Sequence, residues 1–210
     1  MYERFSEHYK RDDWISGFFP AKLDSDIKPT EHKDIVELFK KFNGCSFENG
    51  LYRVLDCQQI ENSTRLIEAV FPNFTDRFIP FGCDWLGRFF AKCKDQVDDR
   101  IFLFSCLMNE VLEIPGGVVN FHNVVLVENS EPALEINKFH IFLTDKKISN
   151  LRVTECVDMI VPLYMGGKYS VSNMKILDVN LVWDLAAQLI SQLKDVKDGQ
   201  TIGAVRILTN

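Results

Sequence analysis

Nowhere in this chain do two cysteines stand three positions apart, and no uncharged apolar run reaches 18 residues. The second absence excludes a helical membrane span, which needs about 20 consecutive apolar residues. The N-terminus, MYERFSEHYKRDD, lacks the continuous apolar stretch of a secretory signal, so none is read there. Six cysteines are present (Cys45, Cys57, Cys83, Cys93, Cys106 and Cys156), scattered mostly through apolar stretches. Such thiols are expected to be buried and reduced in a cytoplasmic protein, not paired in a disulfide framework.

A basic surplus is missing as well. Lys and Arg number 24 against 30 Asp and Glu, a formal net charge of −6. Displacing counterions from a phosphate backbone takes an excess of Lys and Arg, so direct nucleic-acid binding is not expected. An acidic balance suits a soluble protein, or one whose partner is basic. His8, His32, His122 and His140 lie far apart, without the ligand spacing of a zinc site. No metal or cofactor is expected. The G-x-S-x-G nucleophile elbow is absent, and the carboxylates form no paired motif, so no catalytic residue is assigned.

What the chain does hold is core material. Apolar residues make up 46% of it and 17 residues are Phe, enough for a sizeable core. One stretch within this material raises a functional question. Residues 79–91, IPFGCDWLGRFFA, place Gly82 and Gly87 around a thiol and a carboxylate. A phosphate loop needs Lys and then Ser or Thr after its second glycine. Here Arg88 and Phe89 stand in those places, and the following residues read as strand. The expectation is a strand–turn–strand connection bounded by both glycines, with Asp84 bonding back to the turn backbone. Gly166 and Gly167, in PLYMGGKYSVSNMKILD, lack the G-x-G-x-x-G pattern and also read as a turn.

Periodicity orders the elements. Residues 1–28, dense in aromatics, read as a leading helix and a strap packed on one domain, residues 29–210. KPTEHKDIVELFKKFNG sets Ile35, Leu38, Phe39 and Phe42 on one helical stripe, with Thr30 as N-cap and Asn43-Gly44 as stop. GLYRVLD, residues 50–56, reads as a strand, and STRLIEAVFP as a helix capped by Ser63 and ended by Pro72. RFIPFG, GRFFAKCK, RIFLFSCL and EVLEIPGG, joined by short polar turns, read as antiparallel strands. NFHNVVLVENS fits either a helix or a buried strand. SEPALEINKFHIFLTDKK reads as one helix and CVDMIVPLYMGG as a strand ending in a turn. NLVWDLAAQLISQL reads as a last long helix, and GQTIGAVRIL as a turn and short strand. The expected fold class is α+β, a central antiparallel or mixed sheet flanked by helices.

Three segments together carry a resemblance. FKKFNGCSFENGLYRV resembles the helix end, Asn-Gly and Gly-Leu-Tyr stretch of the SUKH superfamily, which includes yeast cell-wall-synthesis regulators and many bacterial immunity proteins. IPFGCDWLGRFFA resembles the next signature of that group, a Phe-Gly, Asp, Gly turn feeding a strand. ECVDMIVPLYMGGKYSVSNMKILDVNLVWDLAAQLI is similar to the C-terminal part of the type VI secretion DNase-immunity group, often found behind a GAD-like N-terminal part. Pro162, Gly166, Gly167, Lys168, Asn173, Asp178 and Trp183 stand in the places of that pattern. Such motifs are turns and core residues, which specify fold more than activity.

The resemblance implies a SUKH-like fold and a non-enzymatic, cytoplasmic immunity protein. Its partner would be a cognate secreted toxin, often a nuclease and hence basic, whose active site it occludes. The alternative is a regulator or scaffold of the same fold that binds an endogenous protein. Candidate partner contacts are loop carboxylates: Asp95, Asp98, Asp99, Glu128, Glu131 and Asp178. Nothing in the sequence indicates an oligomeric state.

Overall fold

The structure, a computed structural model, describes residues 1–13, 32–95, 99–194, 196 and 206–207. Its centre is an antiparallel meander of β1 (Ser46–Phe47), β2 (Tyr52–Val54), β3 (Phe78–Asp84), β4 (Phe89–Cys93), β5 (Arg100–Ser105) and β6 (Glu110–Pro115). The six strands lie side by side in chain order; short reversals join antiparallel neighbours, except between β2 and β3, where the connection carries a helix, Ile60–Val70. The fold is therefore α+β, with a sheet that is antiparallel throughout.

Register decides what each face carries. Arg53 pairs with Cys83, Cys83 with Phe89, and Phe89 with Phe104, so these four share one face. That face is covered by α3 (Ile60–Val70) and α8 (Val179–Leu193). Trp183 of α8 packs 5.0 Å from Phe89 and 6.2 Å from Phe71 between ring centres. The opposite face presents Tyr52 and Phe90 to α1 (Glu3–His8), α2 (Lys33–Phe42) and the helical run α4 (Val118–Asn120), a π-turn (Phe121–Val125) and α5 (Leu126–Glu128). The stripe Ile35, Leu38, Phe39 and Phe42 is buried as the periodicity of α2 predicts. No described helix is long and apolar enough to cross a membrane.

The third piece is a hairpin of β7 (Glu155–Met159) and β8 (Met174–Asp178), paired in its own two-stranded sheet. It docks at the Asp84 end of β3, where Val157 N donates to Trp85 O at 2.7 Å.

Several sequence expectations are corrected. Ser63 does not cap α3; it lies inside the helix, buried. The helix starts earlier, after a 3-10 turn capped by Asp56, which accepts from Gln58 N. A carboxylate at a helical start also meets the positive end of the dipole, which Ser cannot match. NFHNVVLVENS is largely helical, and SEPALEINKFHIFLTDKK divides into α6 (Ser130–Leu134) and α7 (Ile136–Lys146) at Glu135, which has φ +54°. Gly82 is not a turn residue. It lies within β3 at a register shift, where a Cβ would come 2.5 Å from the Tyr52 hydroxyl. Thr30, residues 14–28 of the strap and residues 199–205 lie outside the described residues.

Candidate protein-binding site

The turn after β3 is built as expected at Asp84. Its Oδ1 accepts from Leu86 N and Arg88 N, both at 3.0 Å, and its Oδ2 from Arg88 Nε at 2.6 Å. Gly87 supplies the left-handed conformation, φ +71°, that closes such a turn. Arg88 also reaches the Glu135 carboxylate at 3.2 Å and donates to Ala133 O at 3.0 Å. Glu135 in turn accepts from the Tyr169 hydroxyl. Burial pushes the Asp84 carboxyl up from its ordinary range, and the Arg88 guanidinium pulls against it. The indole N–H groups tie neighbouring pieces together: Trp183 to Gly87 O at 2.8 Å and Trp85 to Leu134 O at 2.7 Å. This closed ionic knot joins the main sheet, α6–α7 and the loop after β7.

The other two resemblance motifs are also architecture. Asn43 Oδ1 accepts from Cys57 N at 2.7 Å, while its Nδ2 donates to Asp56 Oδ1 at 3.2 Å. Asp12, which no sequence pattern singled out, accepts from Ser46 Oγ, Asn49 N and Gly50 N at 2.6, 2.7 and 3.0 Å. Asn173 clasps its loop by donating to Val161 O at 2.9 Å and Lys168 O at 3.0 Å.

A different environment surrounds Arg53, on the α3–α8 side of the sheet. Only 4% exposed, it donates from Nη1 to the carbonyls of Arg152, Val153 and Glu155 and from Nη2 to Asp84 O. It forms no ion pair among the described residues, and its Nε has no acceptor there. Beside it lies a cavity of about 230 Å³. Cys83 and Phe89 line it from the sheet, Asn62 and Ser63 from α3, Val179 and Asn180 from the start of α8, and Asn43 and Asp56 from the loops flanking β1 and β2. Asn62 Nδ2 donates to Asn180 Oδ1 at 2.9 Å, joining α3 to α8 at the wall. The exposed lining residues Asn62, Val153 and Thr154 place the opening at the surface. Two large apolar residues stand exposed in these segments, Val153 at 45% and Leu181 at 46%.

The predicted contact carboxylates are not brought to one surface. Asp95 and Asp99 are exposed in the β4–β5 connection, at the sheet end opposite Asp84. Asp98 lies outside the described residues. Glu128 pairs with Arg4 at 2.8 Å, and Glu131 accepts from Asn137 N at 2.9 Å, both in the helical layer away from α8. Asp178 caps α8, accepting from Asn180 N at 2.9 Å and Leu181 N at 3.3 Å. Among the described members of the set, Asp178 alone is next in sequence to cavity-lining residues, Val179 and Asn180.

The cysteine thiols are committed to the core. All six cysteines are buried and free. Burial pushes the Cys83 thiol up to about 12 and holds Cys106 and Cys156 well above the ordinary range, which keeps them protonated and unreactive. Among the described residues no group of three or more His, Cys, Asp or Glu could hold a metal. His122 donates from Nδ1 to Val118 O at 2.7 Å, so its Nε2 accepts from the Tyr52 hydroxyl at 2.9 Å. Burial lowers its pKa to about 4.

Sequence reasoning missed Arg53, Asp56, Asn62 and Asn180. One signal was available: Arg53 alternates with Leu51 and Leu55 in an otherwise apolar strand, a place where a buried charge needs partners.

No family model matches the chain, and no curated protein matches its sequence. Among solved structures, its fold is similar to the crystal structure of Atu4351 from Agrobacterium tumefaciens, with a TM-score of 0.62 over 90% of this chain and 89% of that one. The two sequences are 14% identical, so the likeness shows the fold alone: an α+β chain in which helices pack on a six-stranded antiparallel sheet.

Proposed function

We propose that this chain is a cytoplasmic immunity protein that binds a cognate secreted bacterial toxin and occludes its active site, without chemistry of its own. The observation that carries the reading is how the polar groups divide. The motif residues Asn43, Asp84, Asn173, Asp178 and Trp183 are each engaged in holding turns, caps and seams. The open polar surface is instead the recess beside Arg53, where amides, a carboxylate and exposed Val153 meet. Mixed apolar and polar surface around a recess is what contact recognition uses. The net charge of −6 favours a cationic partner, such as a nuclease with a basic active face, through steering and complementarity.

Co-expression with the candidate toxin encoded beside it tests the reading. The expected outcome is rescue of growth and co-purification of the pair. If the toxin still kills and does not co-elute, the immunity reading falls; capture of an endogenous protein in its place supports the regulator reading.

A further inference from the structure

We propose that the cavity between α3, α8 and β2 is a socket for one basic side chain, Arg or Lys, of the protein partner, with Asp56 as the counter-charge. The proposal rests on the immunity reading for the partner's identity, but its chemistry is set by the lining.

Among the described residues two charges border the cavity, and they differ in what they can still bind. The Arg53 guanidinium is engaged by four backbone carbonyls and is 4% exposed. Those carbonyl oxygens engage Nη1 and Nη2 and screen its positive charge, and among the described residues only the buried Nε is left without an acceptor. Asp56 is half-buried and forms no ion pair among the described residues. Its Oδ1 accepts from Gln58 N at 3.1 Å and Asn43 Nδ2 at 3.2 Å, which fixes the carboxylate before any partner arrives. A fixed acceptor loses little freedom on binding. The rest of the lining suits the stem of a long cationic side chain. Phe89 and Val179 offer apolar wall, and Asn62, Ser63 and Asn180 offer polar groups along it. Lys and Arg bury their methylenes on such walls while the charged head seeks an acceptor. About 230 Å³ exceeds what one small aromatic ring needs, about 150 Å³ for benzene, and so admits such a side chain.

The test begins with the full chain and two probes, butylguanidinium chloride and neutral pentanamide, followed by amide chemical shifts. Saturable shifts at millimolar butylguanidinium are expected for Gly44, Asn62, Thr154 and Asn180. They should weaken about tenfold or more in Asp56→Asn, which keeps the Oδ1 acceptor but removes the charge. Pentanamide should not reproduce them. An equal response to both probes, a response untouched by Asp56→Asn, or no saturable response overturns the socket. For a purified toxin complex, Asp56→Asn and Thr154→Lys should each weaken affinity about tenfold or more. Thr154 is exposed, so its variant guards against a folding defect at Asp56. Full affinity in both variants overturns the socket and leaves the immunity reading standing. A wild-type chain that binds no toxin overturns the immunity reading, while the probe result decides the socket by itself.

Discussion

Arg53, buried, and Arg88, largely buried, both stand near the Asp84 turn, yet they sit in opposite kinds of surroundings. Arg88 faces two carboxylates, Asp84 at 2.6 Å and Glu135 at 3.2 Å, and the knot it forms is closed. Arg53 faces four carbonyls and borders a cavity whose own carboxylate, Asp56, has no cation among the described residues. The contrast supports the proposed division between architecture and recognition. Where every charge has found its opposite within the chain, the group holds the fold. A carboxylate with a recess beside it and no cation is available to something outside.

The contrast breaks first, and most visibly, at Arg88. Replacing it in Arg88→Met strands the fully buried Asp84, and breaking a buried pair in this way costs about 3–5 kcal/mol. Urea unfolding measures it; a loss below about 1 kcal/mol would mean that the knot is not holding the seam.

Next in size is acid sensitivity at His122, a buried polar group with no charged neighbour in its hydrogen bonds. Its pKa drops from 6.5 unfolded to about 4 folded, so the unfolded chain binds the proton first. The stability it protects is complete above pH 6.5 and is lost as pH falls toward 4, by roughly 3 kcal/mol. His122→Phe should lower the neutral plateau and remove that portion of the acid slope. An unchanged slope would place the sensitivity elsewhere.

Smaller again is Tyr169→Phe, which removes the hydroxyl that Glu135 accepts from and should cost about 1–2 kcal/mol without touching toxin affinity. Asp178→Ala removes the cap of α8 and should cost about 1 kcal/mol. The least effect on stability belongs to Asp56→Asn, within about 0.5 kcal/mol, although its effect on binding should be the largest of the series. Equal stability losses at Asp56 and Arg88, read from the same urea curves, would erase the distinction between the two regions.

Much of the fold was legible because periodicity reports burial directly. The α2 stripe, the meander and α8 follow from side-chain spacing, and Asp84 follows from turn chemistry. What escaped was decided by tertiary contact. Glu135 breaks a helix that its local sequence would continue, because Arg88 and Tyr169 hold its carboxylate. Gly82 sits in mid-strand, where the Tyr52 hydroxyl leaves no room for a Cβ. The cavity escaped for a related reason: its wall is assembled from segments far apart in sequence, so Asp56 and Asn180 become neighbours only in the folded chain. The loop acids, chosen for charge and loop position, are distributed over both helical layers and the far end of the sheet.

The central claim is that this protein acts by contact and not by chemistry. Titrating a fixed amount of purified toxin with the protein, while recording residual toxin activity, tests it most directly. The account predicts that inhibition rises in proportion to the protein added, saturates at a fixed stoichiometry, and leaves both chains covalently unchanged by mass spectrometry. Inactivation by a small fraction of that amount, or a covalent change in the toxin, would contradict it.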